Sequence, residues 1–111
     1  MTENLHRQAA RTFHILSHPA RLRILDELRR SEACVCHLQT VLKRPQAYVS
    51  QQLRVLREAN IVVDRREGLL VYYRLSDAQV EQLLEQVLGP AGPPTRLPHC
   101  PCPKCEQSAG A

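Results

Sequence analysis

The apolar residues near the N-terminus recur at the spacing of amphipathic helices. A first helix is predicted over residues 3–16, where one apolar stripe lies on an otherwise polar segment; its members are Leu5, Ala9, Phe13 and Leu16. A second helix is predicted to follow, capped by Ser17 and with Pro19 in its first turn, where the missing N–H of proline costs nothing. The first helix has little core of its own, so we expect it to pack against the last helix or a partner subunit.

Two helices joined by a short turn are predicted in the middle of the chain. The shorter covers residues 34–42 and is capped by Ser31, and the longer covers residues 46–58 with Pro45 at its start. This arrangement is typical of a helix-turn-helix, whose second helix enters the major groove of DNA. A solvated polar helix face is the alternative interpretation. The polar side chains on the longer helix that can contact bases or phosphates are Gln46, Tyr48, Ser50, Gln51 and Arg54.

Alternating residues after the longer helix predict a β-hairpin. Strands at residues 61–63 and 69–75 flank a tip that carries Arg65 and Arg66 and turns at Gly68. A hairpin directly after a helix-turn-helix is the wing of a winged-helix domain. We therefore expect both arginines to meet the DNA backbone or the minor groove.

A last helix is predicted over residues 78–88, capped by Asp77 or Ser76, and its apolar stripe exceeds what one small domain needs. Pairing with a second copy would bury that stripe. Beyond residue 88 the chain is rich in proline and glycine and cannot form a core. We therefore predict a DNA-binding and dimerisation domain at residues 1–88 and a flexible cysteine- and proline-rich tail at residues 89–111.

Charge and length agree with this division. A chain of 111 residues suits one domain, and a domain of this size buries only roughly 60–65% of its unfolded surface, so a dimer core is a plausible supplement. The net charge is +4, which favours an anionic partner. Residues 43–57 contain four basic side chains and no acid, whereas residues 77–88 contain three acids and no base. The basic charge is thus concentrated on the helix-turn-helix.

No apolar run is long enough to span a bilayer, and the N-terminus lacks a signal core and a cleavage site, so we expect a cytoplasmic protein with no membrane partner. Cytoplasmic thiols are kept reduced. The five cysteines are therefore expected as free thiols for metal, metalloid or redox chemistry and not as structural bridges. These candidate ligands are Cys34, Cys36, Cys100, Cys102 and Cys105.

Thiolate sites favour thiophilic ions. Three sulfurs suit arsenite or lead and four suit cadmium or zinc, and the tail thiols either converge on one ion or complete the site of Cys34 and Cys36. On a regular helix, side chains at i and i+2 point roughly 200° apart, so chelation by this pair requires the helix start to unwind or rotate. Ion binding would then strain the element that supports the longer helix, residues 46–58, with typically about 1–3 kcal/mol of coupling to DNA affinity. Two small buried cysteines without a ligand are the alternative.

Several segments together resemble the ArsR/SmtB family of dimeric winged-helix repressors that respond to metal or metalloid ions. They are E-A-C-V-C-H-L, Y-V-S-Q-Q-L-R-V-L and R-E-G-L-L-V-Y-Y-R-L, and the resemblance extends over residues 5–88. It implies a mainly α-helical winged helix-turn-helix homodimer with its wing at residues 64–75 and its interface on the first and last helices. The DNA contacts that the resemblance implies include Ser50, Gln51 and Arg54.

The segment E-A-C-V-C-H-L is similar to the E-L-C-V-C-D-L box through which thiol-ligating members of that family bind arsenite, antimonite, cadmium or lead. Cys34 and Cys36 match its cysteines, and His37 replaces its aspartate, either as an extra ligand or as a surface residue. The zinc-sensing members use Asp and His pairs on the last helix. Here Asp77 is present but Gln79 occupies the aligned histidine position, so no zinc site is expected there.

The sequence therefore predicts a repressor that binds operator DNA without ligand and is released by a thiophilic ion, arsenite first and cadmium, lead or zinc next. A thiol-based redox or persulfide sensor on the same fold is the alternative. A third hypothesis is an interaction module whose tail is a structural zinc knot and whose DNA binding is constitutive. An enzyme is not expected, because the chain has no phosphate-binding loop and no recognisable pair of nucleophile and base.

Overall fold

In a computed structural model that describes residues 2–95, helices are combined with a small antiparallel sheet. The helices are α1 (Thr2–Leu16), α2 (Pro19–Leu28), α3 (Val35–Leu42), α4 (Gln46–Glu58) and α5 (Ala78–Leu88). The strands are β1 (Ala33–Cys34), β2 (Val62–Glu67) and β3 (Leu70–Leu75), in the order β1-β3-β2. In this part of the chain no helix is long and apolar enough to cross a membrane.

The core lies where α2, α3 and α4 pack against one another and against one face of α5. Its fully buried side chains include Ile24, Leu25, Leu38, Leu53, Leu56 and Val80. The apolar periodicity of each helix predicted these positions, because residues at i, i+3 and i+4 share a face. A polar contact adds to this packing: Arg21 donates from Nε to Oε1 of the buried Gln52 at 2.9 Å and so joins α2 to α4.

Two of the predicted helix caps are wrong. Ser17 donates its hydroxyl to the carbonyl oxygen of His14 at 2.9 Å, so it closes the end of α1 and leaves His18 at the N-cap of α2. Ser31 lies too far from α3 to cap it, because residues 33 and 34 form a strand. The cap of α3 is Cys34, whose sulfur accepts from the backbone N–H of His37. The predicted cap of α5 is confirmed, since Asp77 accepts from the next helical amides.

The hairpin is present, but its tip differs from the prediction. Strand β2 continues through Arg65 and Arg66 to Glu67, and the turn is made by Gly68 and Leu69. The pairing of β2 with β3 depends on backbone hydrogen bonds, so the polar side chains of Arg65, Arg66 and Glu67 did not end β2. Gly68 has φ +62°, the conformation that the first position of a type II′ hairpin turn requires. Both arginines are therefore strand residues and not tip residues.

Strand β1 was not predicted. It consists of Ala33 and Cys34, which pair antiparallel with Tyr73 and Tyr72 of β3. Two residues are too few to carry a recognisable alternation of apolar and polar positions. As a result the prediction placed Cys34 inside α3, whereas it lies on the sheet at the point where α3 begins.

Candidate functional site

The second helix of the helix-turn-helix presents a polar, exposed face. The turn before it begins at Lys43, which adopts a left-handed conformation with φ 56° and ends α3. Pro45 then serves as the N-cap of α4, and the buried Val49, Leu53 and Leu56 hold the helix against the core. This packing fixes which side of α4 faces outward.

The predicted contacts on α4 lie mostly on that outward side. Gln46, Ser50, Gln51 and Arg54 are exposed, and the structure brings them together along one face. Tyr48 is half-buried at the edge of this face, with the guanidinium carbon of Arg44 5.0 Å from its ring centroid. These side chains are the donors and acceptors that base edges and phosphates require.

On the wing, Arg65 is engaged within the protein. Its guanidinium donates to both carboxylate oxygens of Glu32 at 2.7 Å each and to Glu67 at 2.7 Å. It also lies 4.7 Å from the centroid of the Tyr72 ring. The hydrogen bonds to Glu32 and then Glu67 raise the pKa of Arg65 above its usual range. Arg66, the next residue of β2, is exposed.

The first two candidate thiols meet at the boundary between β1 and α3. Cys34 has the extended conformation, with φ −84° and ψ 167°, while Cys36 lies in the first turn of α3. Their sulfur atoms are joined in a disulfide, which differs from the free thiols expected from the sequence. The expectation that the helix start must unwind or rotate is also wrong, because the strand-to-helix boundary already directs both side chains to one point.

Of this pair, Cys34 is shielded from solvent and Cys36 is partly buried. Cys34 is 2% exposed and forms a small cluster with the buried ring of Tyr72, against which Cys36 and Leu70 pack. The cysteine pair therefore contacts β3, the central strand of the sheet, directly.

A buried carboxylate connects α2, α3 and the chain after α5. Glu27 is 1% exposed, and its Oε2 lies 3.0 Å from Nε2 of His37. Thr95 donates its backbone N–H and its hydroxyl to the same carboxylate at 2.9 and 2.7 Å. Burial alone would raise the pKa of Glu27, but the hydrogen bonds from His37 and Thr95 outweigh it and lower the pKa to about 2.

These contacts show that neither role predicted for His37, extra ligand or surface residue, is correct. It is neither a surface residue nor positioned as a third ligand, because it is buried and its Nε2 faces Glu27. Within residues 2–95 no group of three or more His, Cys, Asp or Glu side chains is arranged to hold a metal ion. The remaining predicted ligands, Cys100, Cys102 and Cys105, lie outside the described residues.

Sequence reasoning missed Glu27 and Thr95. A signal for Glu27 was present, since Ile24, Glu27 and Leu28 stand at i, i+3 and i+4 and must share the inner face of α2. Nothing in the sequence around Thr95 indicates that it contacts a residue 68 positions earlier. Long-range contacts of this kind depend on the complete fold.

The helix pair, the exposed face of α4 and the hairpin that follows it define a winged helix-turn-helix DNA-binding protein. The family of bacterial regulatory proteins described as the arsR family matches residues 18–63. This chain belongs to that family, whose members compared below are transcriptional regulators. The prediction that it is not an enzyme is thereby confirmed.

Relatives in several bacteria support the assignment over most of the chain. A transcriptional repressor SmtB homolog of Synechocystis is 44% identical over 80 residues, which are 72% of this chain and 61% of that protein. This chain thus spans less than two thirds of that relative's length. The regulator NmtR of Mycobacterium tuberculosis is 41% identical over 73% of this chain and 68% of its own. The arsenical resistance operon repressor of Bacillus subtilis is 34% identical over 74% of this chain and 79% of its own.

Solved structures agree with the fold. Reduced HlyU from Vibrio cholerae superposes with a TM-score of 0.74 at 30% identity, covering 78% of this chain and 90% of that one. A homodimeric winged helix-turn-helix DNA-binding domain from Mycobacterium bovis gives a TM-score of 0.71 at 32% identity, covering 78% of this chain and 81% of that one. The winged helix-turn-helix predicted from the sequence is confirmed.

Proposed function

We propose that this protein is a homodimeric repressor that binds operator DNA and is released when a thiophilic ion binds its cysteine thiolates. The observation that carries the proposal is the meeting of Cys34 and Cys36 at the start of α3, the helix that supports α4. Arsenite is the favoured ion, followed by cadmium, lead or zinc.

The DNA surface of the proposal combines α4 with the wing. α4 supplies polar side chains without an intervening acid between residues 46 and 57, and the wing adds basic residues beside it. Phosphate contacts supply most of the affinity, and bidentate contacts to base edges supply sequence preference. The contacts proposed are Gln46, Tyr48, Ser50, Gln51, Arg54, Arg65 and Arg66.

The proposed dimer would bury apolar side chains that are exposed to solvent in a single chain. Leu5 and Phe13 of α1 are 64% and 59% exposed, and Val87 and Leu88 of α5 are 75% and 44% exposed. Apolar residues repeated along two helices in this way mark an interface. The homodimeric relative from Mycobacterium bovis supports the same arrangement for this chain.

In the proposed ion site, Cys34 and Cys36 are ligands together with thiols from the tail. Thr95 and His37 contact the same carboxylate, and the backbone N–H of His37 lies 3.4 Å from the sulfur of Cys34. Cys100 is the fifth residue after Thr95, and an extended chain covers about 3.3–3.6 Å per residue. Tail thiols at that distance can reach the cysteine pair, so Cys100, Cys102 and Cys105 are the proposed additional ligands.

The preference for arsenite follows from the number of sulfurs. Two thiolates at the start of α3 and one from the tail make three, which suits the trigonal arsenite ion or lead, whereas four thiolates suit cadmium or zinc. The relative named as an arsenical resistance operon repressor supports the same choice.

A redox or persulfide sensor is the second candidate function. The disulfide between Cys34 and Cys36 favours it, and so does the likeness to HlyU, a regulator whose structure was solved in a reduced form. Closing the disulfide removes two electrons and two protons from the thiol pair, so this function requires an oxidant and no ion.

Parallel titrations distinguish the two functions. The reduced protein is bound to fluorescent promoter DNA at fixed salt, because phosphate contacts make the affinity salt-dependent. Arsenite, cadmium, lead, zinc and a mild oxidant are then added separately while anisotropy is recorded. Release by one ion near one equivalent per site supports the metalloregulator and names its inducer. Release by the oxidant alone supports the redox sensor, and no release contradicts both.

A further inference from the structure

Three side chains connect the cysteine pair to the wing across the sheet. Cys34 of β1 is paired with Tyr72 of β3, and Tyr72 is paired with Arg65 of β2. Side chains directly opposite each other on antiparallel strands point to the same face, so these three form one row. Tyr72 is 1% exposed and packs against Cys34, while the Arg65 guanidinium lies over its ring.

An ion pair also connects Arg65 to the segment just before Cys34. Glu32 stands two residues before Cys34 and accepts two hydrogen bonds from Arg65, a residue 33 positions away, at 2.7 Å each. A bidentate pair fixes the position of the guanidinium as well as compensating its charge. Glu67 also accepts from Arg65, but it belongs to the hairpin itself. Glu32, in contrast, belongs to the segment that leads into the cysteine pair, so its bond to Arg65 joins that segment to β2.

The charges in this cluster determine what Arg65 offers to DNA. Its single positive charge lies between two carboxylates, so the cluster of Arg65, Glu32 and Glu67 as a whole is negative. Such a cluster does not attract a phosphate, whereas Arg65 alone does. In the conformation observed, with the sulfurs of Cys34 and Cys36 joined, Arg65 is therefore withheld from DNA.

β1 is a weakly held element. It pairs with β3 over only two residues, so a rearrangement at Cys34 displaces few backbone hydrogen bonds. Glu32 adjoins this strand directly, and its carboxylate moves with it. The chemistry of the sulfurs can thus alter the Glu32 to Arg65 distance without unfolding α3.

We infer that the ion pair of Glu32 and Arg65 couples the state of Cys34 and Cys36 to operator affinity. Sulfurs held together, by one bound ion or by a disulfide, place Glu32 against Arg65 and lower the affinity for DNA. Separate reduced thiols release Arg65 to phosphate. This inference rests on the proposed function and supplies a route from the cysteine pair to the DNA surface through the wing.

The test compares Glu32→Gln with Glu67→Gln. Each variant removes one carboxylate, and so one negative charge, from beside Arg65, so their general electrostatic effects on DNA binding match. The quantity measured is the fold loss of operator affinity on adding arsenite or a mild oxidant, by anisotropy at fixed salt. Glu32→Gln is expected to reduce that fold loss by about two- to fivefold, the size associated with a partly exposed bidentate pair. Glu67→Gln should keep the fold loss of the unmodified protein.

Equal fold losses in the two variants and in the unmodified protein would overturn the inference and leave the proposed function intact. Equal reductions in both variants would also overturn it, because the effect would then be one of charge alone. If the unmodified protein responds to no ion and no oxidant, the proposed function fails instead, and the inference fails with it.

Discussion

Glu27 receives hydrogen bonds from three parts of the chain. Arg23 of its own helix, His37 of α3 and Thr95 after α5 all lie within 3.4 Å of its carboxylate. A buried carboxylate is stable only when such partners compensate its lost hydration. Glu27 therefore fastens the start of the tail to the helix that precedes the cysteine pair.

The low pKa of Glu27 predicts a loss of stability in acid. The pKa falls from an ordinary value of 4.5 to about 2 in the folded protein, so the carboxylate stabilises the fold above pH 4.5 and this contribution is lost as the pH falls towards 2. Linkage gives a contribution of about 3 kcal/mol to the free energy of unfolding.

Urea unfolding of the protein and of Glu27→Gln at a series of pH values measures this contribution. The free energies of unfolding should differ most at neutral pH, and the difference should shrink as the pH falls. Arg23 and His37 both face this carboxylate in the unmodified protein and lose that negative partner in the variant. A difference that does not change with pH would show that Glu27 has an ordinary pKa.

At the scale of elements, the wing depends on one glycine. Gly68 has φ +62° at the hairpin turn, and a methyl group added to it would meet no atom within 4 Å. Replacement by alanine therefore costs only backbone energy. We expect Gly68→Ala to lower the free energy of unfolding by about 1 kcal/mol and to increase amide exchange in β2 and β3.

Gly92→Ala is the matched control for that change. Gly92 also has open space around its added methyl group, but its backbone does not have a positive φ. This variant should change the free energy of unfolding by less than about 0.5 kcal/mol. If both alanines have the same effect, the turn conformation of Gly68 is not the cause.

At the scale of the whole molecule, the exposed apolar faces of α1 and α5 predict association. Phe13→Asp introduces a charge into the proposed interface, where burial is costly, and should convert the dimer to a monomer at micromolar concentration. Leu69→Asp is the matched control, because Leu69 is fully exposed at the hairpin tip and lies outside both helices. Sedimentation velocity should show a monomer for the first variant and a dimer for the second. A dimer for Phe13→Asp would place the interface elsewhere.

The sequence predicted the helices well and the connections poorly. Periodic apolar residues determined α4 and α5 to within a residue, because burial of one face decides where such helices lie. Ser17 and Ser31 were predicted as caps on residue type alone, yet the chain geometry placed His18 and Cys34 at those positions. A cap depends on where the preceding segment goes, which local sequence does not determine.

The candidate site also has a part that the sequence predicted and a part that it did not. The polar face of α4 was predictable because it lies opposite the buried Val49, Leu53 and Leu56. The meeting of the Cys34 and Cys36 sulfurs could not be predicted, since it depends on a two-residue strand that forms only when β3 is beside it. The pairing of Arg65 with Glu32 likewise joins residues 33 positions apart. It requires the assembled sheet.

The central claim is that the thiols of Cys34 and Cys36 control operator affinity. Its most direct test is anisotropy of Cys34→Ser and Cys36→Ser on promoter DNA, with and without arsenite. Serine is itself a good N-cap, so Cys34→Ser should preserve the start of α3. The reduced unmodified protein should lose operator affinity by at least about fivefold on adding arsenite, and each variant should keep its affinity. Release of Cys34→Ser or Cys36→Ser by arsenite to the same extent as the unmodified protein would contradict the account.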